Sequence, residues 1–170
     1  MSSQTGDCVI KILYSIVEAM NEELIAPCGM NCAICSQYLA LQHDVKSKGI
    51  KIPYCTGCRP REKNCAFIKK RCDLLSNKRV RYCYECGDFP CQHLKHLDQR
   101  YRKHHRMSMI ENLEYIRDNG INEFLANEEE KWKCPECGGM ISCHNGLCFN
   151  CDLNRLSQKK PQYKYRWEEK

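Results

Sequence analysis

The sequence lacks a long apolar run. Its only apolar stretch near the start, residues 12–17, is short, is interrupted by Glu18 and has no small-residue cleavage site after it. Neither a signal peptide nor a membrane span is therefore expected. The sequence also lacks a phosphate-binding loop, a dinucleotide fingerprint and a nucleophile with an assignable base, so no catalytic constellation marks it as an enzyme. A global excess of basic charge is also less than it first looks. The formal charge is +6 with thiols counted as neutral. A divalent ion held by four thiolates carries two net negative charges, so three such sites would cancel it.

What the chain has in abundance is cysteine, 16 residues in 170. Without an export signal the expected compartment is the cytoplasm, where clustered thiols serve as metal ligands or redox groups rather than as disulfides. The clearest cluster is Cys134-Pro135-Glu136-Cys137-Gly138-Gly139, answered by Cys148-Phe149-Asn150-Cys151. Two CxxC pairs joined by a short glycine-bearing loop are what a four-thiolate zinc ribbon needs, with glycine after the second cysteine supplying a positive φ. A β-type zinc ribbon is expected over residues 131–153, ligated by Cys134, Cys137, Cys148 and Cys151. Cys143 and His144 are extra donors inside it. Four sulfurs already complete a tetrahedron, so Cys143 is expected to be free and His144 to pack or hydrogen bond nearby.

Upstream, Cys28, Cys32 and Cys35 stand at CxxxCxxC spacing. Asn31 is a good N-cap, and Ala33, Ile34, Tyr38, Leu39 and Leu41 follow at helical spacing up to a stop at Gly49, which places Cys32 and Cys35 on a first helical turn. That spacing can hold three corners of a four-iron cluster, so these three cysteines are candidates for cofactor binding. It is also the spacing of radical S-adenosylmethionine enzymes, whose barrel needs more chain than remains here. Cys55-Thr56-Gly57-Cys58 and Cys83-Tyr84-Glu85-Cys86-Gly87 are knuckles, and Cys65, Cys72 and Cys91 complete a set of ten cysteines from Cys28 to Cys91. Cys55, Cys58, Cys65, Cys72, Cys83, Cys86 and Cys91 are candidate ligands for zinc or an iron–sulfur cluster. Spacing alone does not partition them. His93, two residues past Cys91, is the one histidine with a case as a further ligand.

Between these motifs the pattern is helical. A short helix ends near Asn77. A helix from Cys91 buries Leu94, Leu97 and Tyr101 and shows a basic, histidine-rich face. A capping box at Ser108-Met109-Ile110-Glu111 opens the next helix, with Ile110, Leu113 and Ile116 on its core edge and a stop at Gly120. Another follows near Asn122, with Phe124 and Leu125 packing. Basic blocks at residues 69–81 and 95–106 face an acidic run at 111–130, so a dipolar molecule is expected. Residues 1–21, with the lone Cys8, are either a weakly amphipathic helix or an extension ahead of a start at Met20. Residues 22–130 are the cysteine-rich helical domain, and 154–170 a disordered basic and aromatic tail. The expected fold is thus a small, mainly α, irregular metal-stabilised domain with a C-terminal β-type ribbon.

Residues 24–35, Cys55-Thr56-Gly57-Cys58-Arg59, Tyr82-Cys83-Tyr84-Glu85-Cys86, Phe89-Pro90-Cys91 and residues 107–113 together resemble the family called domain of unknown function 3795, from about Glu23 to Cys151. Those are small cysteine-rich proteins of anaerobic bacteria and archaea. The resemblance implies zinc or iron–sulfur binding at the cysteines and carries no activity.

Three functions follow as expectations. The first is a zinc-binding module for interaction or regulation, with an unknown protein partner. The second is an iron–sulfur redox protein using Cys28, Cys32 and Cys35, with an accessory zinc ribbon. The weakest is nucleic-acid binding through the ribbon, basic blocks and tail.

Overall fold

A computed structural model of the chain describes residues 20–62 and 68–158. Cys8, Cys65, the rest of the N-terminal extension and the tail from residue 159 lie outside the described residues. Among the described residues the regular structure is four 3-10 turns and six α-helices: α1 (Ser36–Gln42), α2 (Asp73–Ser76), α3 (Gln92–His105), α4 (Met109–Asn119), α5 (Ile121–Lys131) and α6 (Leu153–Leu156). The fold is mainly helical. No described helix is long and apolar enough to cross a membrane.

After a 3-10 turn at Glu22–Leu24 comes a tight antiparallel turn from Ile25 to Asn31, bridged at those two residues. Gly29 sits at its tip with φ +85°, and a Cβ there would lie 2.5 Å from the Met109 carbonyl oxygen. Only glycine lets the turn approach α4 so closely. Asn112 of α4 completes the contact by donating Nδ2–H to the Gly29 carbonyl at 2.9 Å.

Asn31 does act as a cap, accepting the Ala33 N–H at 3.0 Å, but the turn it caps is a 3-10 turn, Cys32–Ile34. The α-helix starts only at Ser36, with Cys35 at its N-cap. The expected placement of both cysteines on one α-helical turn is therefore corrected. The Cys35 N–H closes back on the Cys32 carbonyl at 3.0 Å and ends the turn before an α-helix can form. α1 then stops at Gln42, earlier than Gly49, and turns carry the chain onward.

α3 follows its sequence pattern, with Leu94 and Leu97 buried. Its last turn carries Arg102, Lys103, His104 and His105, a charge that suits the negative end of the helix dipole. The capping box is only half made: Ser108 Oγ accepts the Glu111 N–H at 3.0 Å, while the Glu111 carboxylate takes Arg102 at 2.7 Å instead. Buried Asp98 supplies what is missing, accepting Ser108 Oγ–H at 2.7 Å and the Ile110 N–H at 3.0 Å. This fixes the α3–α4 corner.

The main core joins Ile25, Ile34, Leu94, Met109, Leu113, Phe124 and Trp132. Leu94 and Leu113 are wholly buried, and each contributes about 2 kcal/mol by leaving water. A second cluster packs Leu147 and Phe149 of the four-cysteine segment against Leu39, Val45 and Ile50. The C-terminal cysteine segment is thus cemented to α1 and the loop after it. Cys143, fully buried, adds a backbone bond to the Ile34 carbonyl at 3.0 Å.

Among the described residues there are no strands. The four-cysteine segment rests on two isolated antiparallel bridges, Lys133 with Met140 and Ile141 with Cys148. Pairing cannot extend because turns interrupt it. Gly138 closes on Cys134 at 2.9 Å and Gly146 on Ser142 at 2.8 Å.

Candidate metal centre

The C-terminal quartet is built from two knuckles. Gly138 takes φ +73° directly after Cys137, the left-handed conformation the motif requires. The next N–H, of Gly139, donates to Cys137 Sγ at 3.4 Å, and Asn150 Nδ2 reaches the same sulfur at 3.7 Å. In the second knuckle the Asp152 N–H closes back on the Cys148 carbonyl at 2.9 Å. Asp152 holds this turn by accepting the Cys148 N–H at 2.9 Å.

The four sulfurs of Cys134, Cys137, Cys148 and Cys151 all lie within 4.8 Å of one another. Cys137 and Cys148 are 3.5 Å apart, and Cys134 and Cys151 are 4.0 Å apart. A tetrahedral ion with metal–sulfur bonds of about 2.3 Å has sulfur–sulfur edges of about 3.8 Å. The observed separations bracket that value, so the quartet fits a tetrahedral thiophilic ion. The electrostatics agree. Burial raises the Cys137 thiol, but the Gly139 N–H, the Cys151 thiol and the Asn150 amide outweigh it and bring it down to about 7. Cys148 is pushed up to about 11, mainly by burial. Cys151 is raised chiefly by its bond to Cys137. Sulfurs this close cannot all ionise unless a cation lies between them, and a cation reverses the penalty.

The upstream cysteines are placed more openly. Among the described residues no other three His, Cys, Asp or Glu side chains bring their ligand atoms within the same 4.8 Å. Cys32, Cys35, Cys55 and Cys58 line one cleft of about 650 Å³. The Cys58 N–H donates to Cys32 Sγ at 3.4 Å, and Arg61 Nη1 donates to Cys55 Sγ at 3.3 Å. Cys72, Cys83, Cys86 and Cys91 line another cleft, about 300 Å³, beside His93. Cys28 belongs to neither lining and borders a third cleft with Cys58, Ile68 and Leu75. Gly87 departs from expectation: it has no positive φ, so the Cys86 knuckle closes without a left-handed residue.

Cys143 is buried away from the quartet, and burial holds its thiol protonated. His144 Nδ1 accepts the Ser36 N–H at 3.3 Å, which leaves Nε2–H to meet Tyr101 Oη at 3.3 Å. Burial lowers its imidazolium to about 4, so the ring is neutral.

Three supporting residues gave no sequence signal of their role. Glu128, within the acidic run, is buried and takes Trp132 Nε1–H at 3.0 Å. Arg59 follows Cys58 and donates to the carbonyls of Ile25, at 2.6 Å, and Arg81, at 2.9 Å. Its guanidinium also lies 4.6 Å over the Tyr82 ring. It ties the Cys58 loop to the segment that carries Cys83. Arg61 places a charge on Cys55. Charged residues after a cysteine read equally well as solvated surface, which is why the sequence did not single them out.

No match was found among curated proteins or among solved structures. The model of one protein family does match, over residues 24–96, a span that takes in every cysteine from Cys28 to Cys91 and ends ahead of the C-terminal quartet. The family is described as Protein of unknown function (DUF3795), the same one that the cysteine motifs resemble.

Proposed function

We propose that the chain is a zinc-binding, cysteine-rich module that acts by interaction or regulation, with one zinc ion held by Cys134, Cys137, Cys148 and Cys151. The observation that carries this reading is the spacing of those four sulfurs, at the edge lengths of a tetrahedral thiolate site. Zinc suits four thiolates with no open position, which is the donor set of a structural rather than a catalytic ion. The ion would then be coupled to folding, because Leu147 and Phe149 beside the ligands cover Leu39, Val45 and Ile50. The exposed cationic face of α3, with Lys95, Arg100 and Lys103, would suit an acidic protein partner.

Chelation tests the reading. Trp132 is 1 % exposed and its carbonyl accepts the Ile141 N–H at 2.8 Å, so its fluorescence reports on this segment. In a Trp167→Phe background, removing zinc or introducing Cys137→Ser should shift Trp132 emission to the red, and returning zinc should restore the unsubstituted chain alone. Emission indifferent to both would refute a zinc-coupled ribbon.

A further inference from the structure

The ten cysteines from Cys28 to Cys91 have no partition by spacing, yet the fold sorts the nine that are described. We propose that they form two further four-thiolate metal sites, Cys32/Cys35/Cys55/Cys58 and Cys72/Cys83/Cys86/Cys91, with Cys28 outside both. Two independent features support this.

The first is co-location. The four members of each quartet line a single cleft, and the two clefts share no cysteine. The Cys58 N–H on Cys32 Sγ joins the two halves of the first quartet across 26 positions of sequence. The CxxxCxxC run is therefore split: Cys32 and Cys35 turn toward Cys55 and Cys58, while Cys28 borders a different cleft. Cys28 does come near Cys83, through the bond from the Cys83 N–H to the Pro27 carbonyl at 2.9 Å, but it is not among the residues that line the cleft shared by the second quartet.

The second feature is a repeated local geometry. In the C-terminal quartet, the N–H two residues after the second cysteine of the CxxC donates to that cysteine's sulfur. The same bond recurs in one upstream quartet, where the Asp88 N–H reaches Cys86 Sγ at 3.4 Å. Two of the three upstream CxxC pairs also close on a 3-10 turn, with the Cys35 N–H on the Cys32 carbonyl at 3.0 Å and the Cys86 N–H on the Cys83 carbonyl at 3.2 Å. A backbone N–H aimed at sulfur stabilises thiolate over thiol, the form that binds metal. Each of the three quartets thus receives a backbone N–H on one of its sulfurs, Cys137, Cys86 and Cys32, as thiolate ligands of an ion require. The upstream quartets are wider than the C-terminal one, so binding would draw their halves together.

The class of ion, a divalent thiophilic cation such as zinc, rests on the reading of the C-terminal quartet; the partition does not. The test uses the full chain purified without oxygen and equilibrated with zinc alone. Zinc per chain is counted by native mass spectrometry, and mean coordination is read by X-ray absorption. The unsubstituted chain should hold three zinc ions, each in an all-sulfur shell. Cys28→Ser, which removes no ligand, should fold and keep three. Cys35→Ser and Cys86→Ser should each keep two after brief exposure to a moderate chelator. A single zinc in the unsubstituted chain, lost with Cys137→Ser, would overturn the two upstream sites while leaving the C-terminal one standing. No zinc at all would overturn both readings. Misfolding of Cys28→Ser, or its loss of an ion, would overturn the partition, and that count does not depend on whether Cys35→Ser folds.

Discussion

Asn31 donates its amide Nδ2–H to the buried Glu128 carboxylate at 3.1 Å while its Oδ1 caps the Cys32 turn at 3.0 Å. One wholly buried side chain thus fixes both the knuckle that carries Cys32 and the end of α5, which leads into Cys134. Glu128 also accepts the Trp132 indole N–H and pairs with Lys131 at 3.3 Å. Through these bonds, the first cysteine motif and the last share one polar hub.

Replacing that amide should therefore be costly in a graded way. Asn31→Ala removes the cap and one donor to Glu128, a loss of about 2 kcal/mol. Asn31→Asp keeps the cap but sets a second carboxylate against Glu128, and it should cost more, roughly 3 kcal/mol or above. Denaturant unfolding checks the order. Equal stability of Asn31→Asp and the unsubstituted chain would show that the hub does not hold the turn.

Gly29 offers a contrast with Gly49. Both have positive φ, +85° and +78°, but a Cβ at Gly29 meets the Met109 carbonyl at 2.5 Å, whereas nothing lies within 4 Å of one at Gly49. Gly49→Ala should cost about 1 kcal/mol, from backbone strain alone. Gly29→Ala should cost about 2 kcal/mol more, because the turn must back away from α4. Similar melting temperatures for the two variants would mean that the close approach is not limiting.

His144 gives stability a pH dependence of defined sign. Its folded value, lowered by burial to about 4, lies below the ordinary 6.5. Between those values the unfolded chain takes up the proton and the folded chain does not. Stability from this group is complete above the unfolded value and is lost as pH falls below it. Relative to His144→Gln, the unsubstituted protein should lose roughly 2 kcal/mol between pH 7 and pH 5. Acid release of metal is common to both chains and drops out of the comparison. Parallel stability curves for the two would remove His144 as the source.

Much of this architecture could be read from the sequence. The helices carrying Leu94 and Leu97, and Leu113 and Ile116, repeat their apolar residues at helical period, and the Ser108 cap is a local signal. The C-terminal quartet was legible because each CxxC brings its own turn, and the loop between them is short. The upstream grouping was not. Cys32 and Cys35 pair with cysteines some twenty residues on, and nothing in spacing separates them from Cys28, which lies equally close in the chain. Glu128 was hidden for another reason: a buried acid in an acidic run looks like its solvated neighbours until Asn31 and Trp132 are seen to bond it.

The most direct test of the central claim is the metal and acid-labile sulfide content of protein purified without oxygen, with its absorption spectrum. The account predicts zinc, no sulfide and no colour. Iron and sulfide in about four-to-four ratio, in a brown protein, would contradict it and place an iron–sulfur cluster among Cys28, Cys32, Cys35 and their neighbours.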